Sequence, residues 1–250
     1  MPYPPSHKHD QLLFIELQTV DSTNNYALSR VYAGLAQHGT AIFSHEQVAG
    51  KGQRGKSWIS KKGDNLAVSL ILNPTPLQLQ EQFMLSICIA VSAHKILTKY
   101  LGDDVRIKWP NDLYWQDRKA GGILIENSVQ GNSWKWAVAG IGVNINQVVF
   151  PTEVKNPVSF KQITGRDHDP LIIAKELCHA VLDEFQSLPS DKEIITGYYK
   201  SKLFRIGEEV KLKAGNRIFN AIIKDVTADG KLIVNHGLDE EFSIGEIEWL

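Results

Sequence analysis

The chain has 250 residues, 43% of them apolar and 22% charged, with a formal net charge of -1. That length supports one full core plus a small second domain, and the near-neutral balance excludes a globally basic nucleic-acid binder. No apolar run approaches the roughly 20 residues of a bilayer span and no signal-peptide core opens the chain, so the sequence reads as cytoplasmic with no membrane partner.

Residues 1–10 read as a flexible tail and 12–17 as a strand. Asp21-Ser22-Thr23-Asn24 then offers several N-caps for a helix running to about residue 37. A short strand at 40–44 leads to His45-Glu46, which lacks the second histidine of a zincin helix because position 49 is Ala49. The loop Gly50-Lys51-Gly52-Gln53-Arg54-Gly55-Lys56-Ser57-Trp58 follows. From Gly50 to Lys62 there are five basic residues and no acidic one. A charge run of this kind is ordinarily a solvated loop, but the glycines give it another use. Glycine lets backbone N–H groups approach a ligand closely. The cations suit an anion, and the indole suits a flat ring or a core contact. The loop is expected to be mobile without a nucleotide-like ligand and ordered with one.

Residues 65–72 alternate and then become wholly apolar, as a central strand does, until Pro74 and Pro76. The longest helical pattern is 79–100, with Phe83, Ile87, Val91 and Ile96-Leu97 on an inward stripe. A strand at 105–109 is stopped by Pro110 inside Lys108-Trp109-Pro110-Asn111-Asp112. A short strand at 113–115, a turn at Gln116-Asp117-Arg118, and strands at 122–127 and 134–143 follow, the last two joined as a hairpin. Residues 147–169 read mostly as loop, then 171–188 and 191–200 as two helices. Cys88 and Cys178, the two cysteines, fall among apolar neighbours in predicted helices and read as buried free thiols. After Arg205 the pattern changes to four or five short strands at regular spacing, a small barrel. The expected domains are 1–204 and 205–250.

Five segments in one order resemble the biotin–protein ligases. They are Asp21-Ser22-Thr23-Asn24, Glu46-Gln47-Val48-Ala49-Gly50 through Trp58, Asn65-Leu66-Ala67-Val68-Ser69-Leu70, Lys108 through Arg118-Lys119-Ala120-Gly121-Gly122-Ile123-Leu124, and Gly140-Ile141-Gly142-Val143-Asn144-Ile145-Asn146. The likeness covers residues 19–146 strongly and the barrel weakly. It implies an α+β fold like the class II aminoacyl-tRNA synthetase core, with a mixed, mostly antiparallel sheet and then an SH3-like β-barrel. It also implies two reactions: biotin and ATP, with Mg²⁺, give biotinyl-5′-AMP, and the biotinyl group passes to a lysine of a biotin carboxyl carrier protein.

By the same resemblance, Ser22, Thr23, Asn24 and Gln47 hold biotin, with Gly50, Lys51, Lys119, Gly121 and Gly122. A hydroxyl pair and a carboxamide can satisfy the donors and the carbonyl of a ureido ring, although Ser22-Thr23 also serves as a plain helix N-cap. Lys51, Gly52, Gln53, Arg54, Lys56, Trp58, Lys108, Asn111, Lys119 and Asn144 are assigned to the nucleotide. Lys119, Asp112 and Arg54 are the catalytic candidates, and Asp112 is also the candidate for Mg²⁺. Asn111-Asp112 reads equally as an Asx-turn. The family commonly has Arg where this chain has Lys51, Gln53 and Lys56. Gln53 cannot make charge-assisted bonds to a phosphate, and neighbouring Arg54 is the expected substitute.

The repressor members of the family carry an N-terminal winged helix. Here 20 residues precede Asp21, which implies a ligase without that domain and without a nucleic-acid partner. A homodimer is compatible with exposed sheet edges. A lipoate or octanoate ligase of the same fold is the nearest rival, but neither its Arg-Arg-x-Ser-Gly-Gly-Gly loop nor a Cys–Lys pair is present. A non-catalytic biotin-binding module is disfavoured by Lys119 and Asp112.

Overall fold

The computed structural model describes residues 12–250, and the tail expected at 1–10 lies outside the described residues. Strands β1 (Leu13–Leu17), β2 (Thr40–Ser44), β3 (Leu66–Leu72), β4 (Val105–Lys108), β5 (Asp112–Trp115), β6 (Arg118–Gln130) and β7 (Ser133–Val143) form one sheet. Its order is β1-β2-β3-β7-β6-β5-β4. The β1–β2 pair is parallel and the other pairs are antiparallel.

Alternation along the central strands builds two cores on two faces. Phe43, Leu70, Leu72, Ala137 and Ala139 join the large core, together with helices α2 (Gln82–Leu101) and α4 (Pro170–Ser201). Ile42, Ile71 and Val138 face the other way, onto Ala27 and Val31 of helix α1 (Thr23–Tyr32). With both faces covered, β3 is buried along its whole length, as its unbroken apolar run requires.

Several expectations change. Helix α1 stops at Tyr32, because Gly34 turns the chain at a φ of 70°. Strand β6 starts at Arg118, so the preceding turn is tighter than expected. The loop at 147–169 contains the short helix α3 (Phe160–Thr164), capped by Ser159. The two helices expected around residue 190 are the single helix α4, with Pro189 inside it. An interior proline costs about 3 kcal/mol. Phe185 and Leu188 before it and Ile195 and Tyr199 after it are all buried, and that packing outweighs the lost backbone bond. Finally, residues Leu79–Leu101 are long and apolar enough to cross a membrane, contrary to the sequence reading; 61% of that window is buried inside the fold, as in a core helix.

Strands β8 (Glu209–Ala214), β9 (Arg217–Val226), β10 (Leu232–Asn235), β11 (Asp239–Phe242) and β12 (Glu248–Trp249) form a second, antiparallel sheet in the order β11-β10-β9-β8-β12. It docks firmly on the first. The connecting chain pairs with β4 through Ile107 N–H to Lys202 O and Phe204 N–H to Ile107 O, both 2.9 Å. Trp109 Nε1–H donates to Gly230 O at 2.9 Å. The Phe83 ring occupies the space a Gly230 side chain would need, 2.5 Å from the position of its Cβ.

Cys88 and Cys178 are buried and free, and burial pushes both thiols well above their ordinary pKa. His94 of α2 is also buried; its Nε2–H donates to Val105 O at 3.1 Å, and Tyr198 Oη lies 3.1 Å from Nδ1. Burial pulls its pKa down to about 4. A histidine lowered in the folded state contributes stability that is complete above about pH 6.5 and is lost as pH falls toward 4, about 3 kcal/mol in all. Urea unfolding of the wild type should therefore weaken from pH 7.5 to pH 4.5. His94→Gln should start less stable and show a visibly flatter pH slope; equal slopes would remove His94 as the cause.

Candidate active site

The pocket lies on the α1 face of the large sheet, floored where β3, β6 and β7 carry Ala67, Gly122, Leu124, Gly140 and Gly142. The register sets Gly142 beside Ala67 and Gly122, and Gly140 beside Ser69 and Leu124. Small residues therefore fill adjoining rows, and neighbours occupy the space. A Cβ at Gly142 would stand 2.6 Å from Trp58 Cε2. At Gly140 it would overlap the Asn24 carboxamide, and at Gly122 it would lie 3.3 Å from Asp112 Oδ1.

The N-terminus of α1 walls one end. Ser22 sits at the N-cap with extended backbone, yet its hydroxyl makes no capping bond. Thr23 N–H and its hydroxyl both donate to Gln47 Oε1, at 2.8 and 3.1 Å. That fixes the carboxamide with its NH₂ free, among the described residues, to donate to a ligand carbonyl. Behind this wall Ser69 Oγ lies 2.7 Å from Thr23 Oγ1 and 2.6 Å from Asn24 Oδ1. Asn24 Nδ2 donates to Glu126 Oε2 at 2.8 Å, and Lys51 Nζ lies 3.3 Å from Glu126 Oε1.

At the centre, Lys119 Nζ is 2.6 Å from Asp112 Oδ1, with side chains 28% and 24% exposed. Simple alternation from Gly122 would turn Lys119 to the opposite face. A β-bulge prevents this: Leu113 pairs with Gly121 but Tyr114 pairs with Lys119, so Ala120 is the extra residue. Lys119 N–H then donates to Asn156 O at 2.8 Å, and its carbonyl accepts from Val158 N–H at 2.9 Å. Asn111 Nδ2 donates to Ile123 O at 2.7 Å, which fixes the turn carrying Asp112.

The glycine loop covers the pocket. Trp58 N–H donates to Gly50 O at 2.8 Å and Gly52 N–H to Lys56 O at 2.7 Å, closing the loop at its neck. Trp58 lies on Gly142 with its indole N–H buried and unpaired among the described residues. An adjoining ring system could use both the indole face and that donor.

Of the residues expected at the site, Ser22, Thr23, Asn24, Gln47, Lys51, Gly52, Gln53, Trp58, Asn111, Asp112, Lys119 and Gly122 line the pocket. Gly50 and Gly121 shape it from behind, Gly121 because a Cβ there would stand 2.8 Å from Gly142 O. Four are placed elsewhere. Lys56 is exposed outside the pocket. Arg54 has a left-handed backbone (φ 56°, ψ 41°), which directs its side chain outward to Gly245 O at 3.2 Å. Asn144 donates its amide to Lys119 O and Val158 O, at 3.3 and 3.2 Å, and so braces the bulge. Lys108 stands among Tyr114, Trp249 and Phe204, 4.5, 5.0 and 5.4 Å from their ring centres. Burial there lowers its pKa to about 8.

Sequence reasoning missed Ser69 and Glu126, which tie Thr23, Asn24 and Lys51 together. It quoted Gly140-x-Gly142 without placing it in the site, although two glycines at strand period share one face.

A profile of the Biotin/lipoate A/B protein ligase family matches residues 16–144, and one of the Biotin protein ligase C terminal domain matches 206–249. The bifunctional ligase/repressor BirA of Escherichia coli is 40% identical over 131 residues, a match spanning 52% of this chain and 39% of that protein's length. The biotin–[acetyl-CoA-carboxylase] ligase of Paracoccus denitrificans is 32% identical over 231 residues, 87% of this chain and 92% of that protein. Among solved structures, the Aquifex aeolicus biotin protein ligase in complex with biotin and ATP superposes with a TM-score of 0.78 at 27% identity, covering 94% of this chain and 97% of that one. The chain is thus a member of the biotin/lipoate A/B protein ligase family.

Proposed function

We propose that this protein activates biotin with ATP to biotinyl-5′-AMP and transfers the biotinyl group to a lysine of a biotin carboxyl carrier protein. The observation that carries the reading is the Lys119–Asp112 pair above Gly122, beside the Ser22–Thr23–Gln47 wall in one pocket. The wall offers a fixed amide donor and free hydroxyl chemistry to a ureido head. The glycine floor accommodates an acyl chain lying against the strands.

In the first step a biotin carboxylate oxygen attacks the α-phosphorus and pyrophosphate leaves. Two anions must approach, so fixed positive charge is the main catalytic demand; Lys119 supplies it, with Lys51 nearby. In the second step a carrier amine attacks the acyl carbon and AMP leaves. That amine must first lose a proton, since a free lysine has a pKa of about 10.4. Asp112 is the acceptor within the site. Mg²⁺ bound to ATP would be held chiefly by phosphate and would shield its charge, with Asp112 as the protein group that would reach it. No cluster of three or more His, Cys, Asp or Glu exists among the described residues, and Asp112 with Asn111 is the donor set of a phosphate-borne ion rather than a protein cage. The catalytic unit is assigned to residues up to 204, the barrel to 205–250, and the reaction to the cytoplasm, where ATP is available.

ATP–pyrophosphate exchange with Mg²⁺ should respond to biotin and to neither lipoate nor octanoate; exchange with either of those alone would overturn the reading. Lys119→Met should lower exchange about a hundredfold or more while biotin binding, followed by calorimetry, weakens less than about tenfold. Gly142→Ala should push the Trp58 indole off the strand. Overpacking of this kind costs about 1–3 kcal/mol, which should appear as a rise of about tenfold or more in KM for ATP with biotin affinity little changed. A reversed pattern would place the indole at the biotin end.

A further inference from the structure

We propose that Arg54 is a positioning residue that fastens the glycine loop to the second sheet, so that closure over the nucleotide depends on the barrel. This rests on the reading of the pocket as a biotin–ATP site. Arg54 is a non-glycine residue in the left-handed region, between Gly52 and Gly55. That conformation is unfavourable for an L-residue, and glycine at the same position would avoid the cost. The side chain makes the contact that offsets it.

Its guanidinium donates to Gly245 O, in the turn between β11 and β12. Gly245 is itself at a φ of 93°, and a Cβ there would stand 2.5 Å from Arg54 Cζ. The two backbones are thus matched: a residue of unusual conformation on the loop meets one with no side chain on the turn. The turn is held by Ser243 N–H to Glu246 Oε2 at 2.6 Å and Glu246 N–H to Ser243 O at 3.1 Å. Ile244 of this turn and Gln53 of the loop line one cleft, which shares Asn111 and Ile123 with the active-site pocket. On the far side of that cleft the barrel holds Trp109 through Gly230. The second sheet therefore grips both the loop and the turn bearing Asp112. The left-handed residue also divides the loop, so that Gln53 meets the ligand and Arg54 meets the barrel. A single exposed bond to a neutral carbonyl is weak enough to release for substrate entry.

The rival role for Arg54 is direct contact with phosphate, and amide hydrogen exchange without nucleotide separates the two. A latch protects Gly52, Lys56 and Trp58 amides in the free protein, so Arg54→Ala should speed their exchange about fivefold. A phosphate ligand has nothing to bind there, and unchanged exchange would overturn the proposal. In turnover, Arg54→Ala should raise KM for ATP and the escape of biotinyl-5′-AMP about fivefold, with biotin affinity unchanged. Gly245→Ala, checked for folding by circular dichroism, should reproduce this, and the double variant should be no worse than Arg54→Ala. Additive losses would overturn the proposal. Failure of wild-type protein to catalyse biotin-dependent exchange would instead refute the ligase reading, leaving the exchange comparison to decide the latch by itself.

Discussion

Three positions on the pocket face of the sheet carry no side chain, and the site is assembled from what fills them. Asn24 occupies the space above Gly140, Trp58 that above Gly142, and the Lys119–Asp112 pair that above Gly122. A methyl group at Gly140 or Gly142 would displace a wall of the pocket. Each glycine in a strand costs about 0.5–1 kcal/mol in lost chain entropy. The same positions could have held β-branched residues and a second conventional core, as Val138 does one step away on the same face. The molecule gives up that burial, and the hydrogen-bonded strands themselves become the floor.

The barrel is joined to the large sheet by a motif of which sequence reading had assigned Lys108 and Asn111 to the nucleotide. Lys108-Trp109-Pro110-Asn111-Asp112 divides in the middle. Its first two residues face the second sheet, Lys108 among three aromatic rings and Trp109 bonded to Gly230 O. Its last two face the pocket. Lys108 pairs across the strands with Asp112, so docking the barrel and aiming the carboxylate are properties of adjoining positions on one hairpin. Charge from Asp112 supports the Lys108 ammonium, but burial dominates and lowers its pKa.

Much of this was legible in the sequence. The central strand β3 follows from its apolar run, and the residues that line the pocket beside the N-terminus of α1 follow from the motif order. What escaped depends on geometry that residue types do not encode. The bulge at Ala120 inverts the face on which alternation would place Lys119, and only the pairing partner reveals it. Arg54 was assigned to the nucleotide as the neighbour of Gln53; its left-handed backbone, which residue type does not encode, directs it to Gly245 O. Asn144 was assigned to the base; its amide donates to the carbonyls of Lys119 and Val158, a contact that its residue type does not announce. Two helices were expected, ending at 188 and starting at 191, yet the apolar residues on either side of Pro189 are buried in one continuous helix.

The bulge also sets a rule about chain length. Between Tyr114 and Gly122 the spacing is fixed from both ends, by β5 on one strand and by the segment at Asn156 and Val158 on the other. Substitutions at Arg118 or Ala120 leave that spacing intact. Regular pairing at unchanged length would set Ala120 opposite Tyr114 and carry the Lys119 ammonium through the sheet, whereas removing Ala120 keeps Lys119 opposite Tyr114. The extra residue and the bulge are thus bound by parity rather than by space: this hairpin can lose both together, but neither one alone, and still present the ammonium to the pocket.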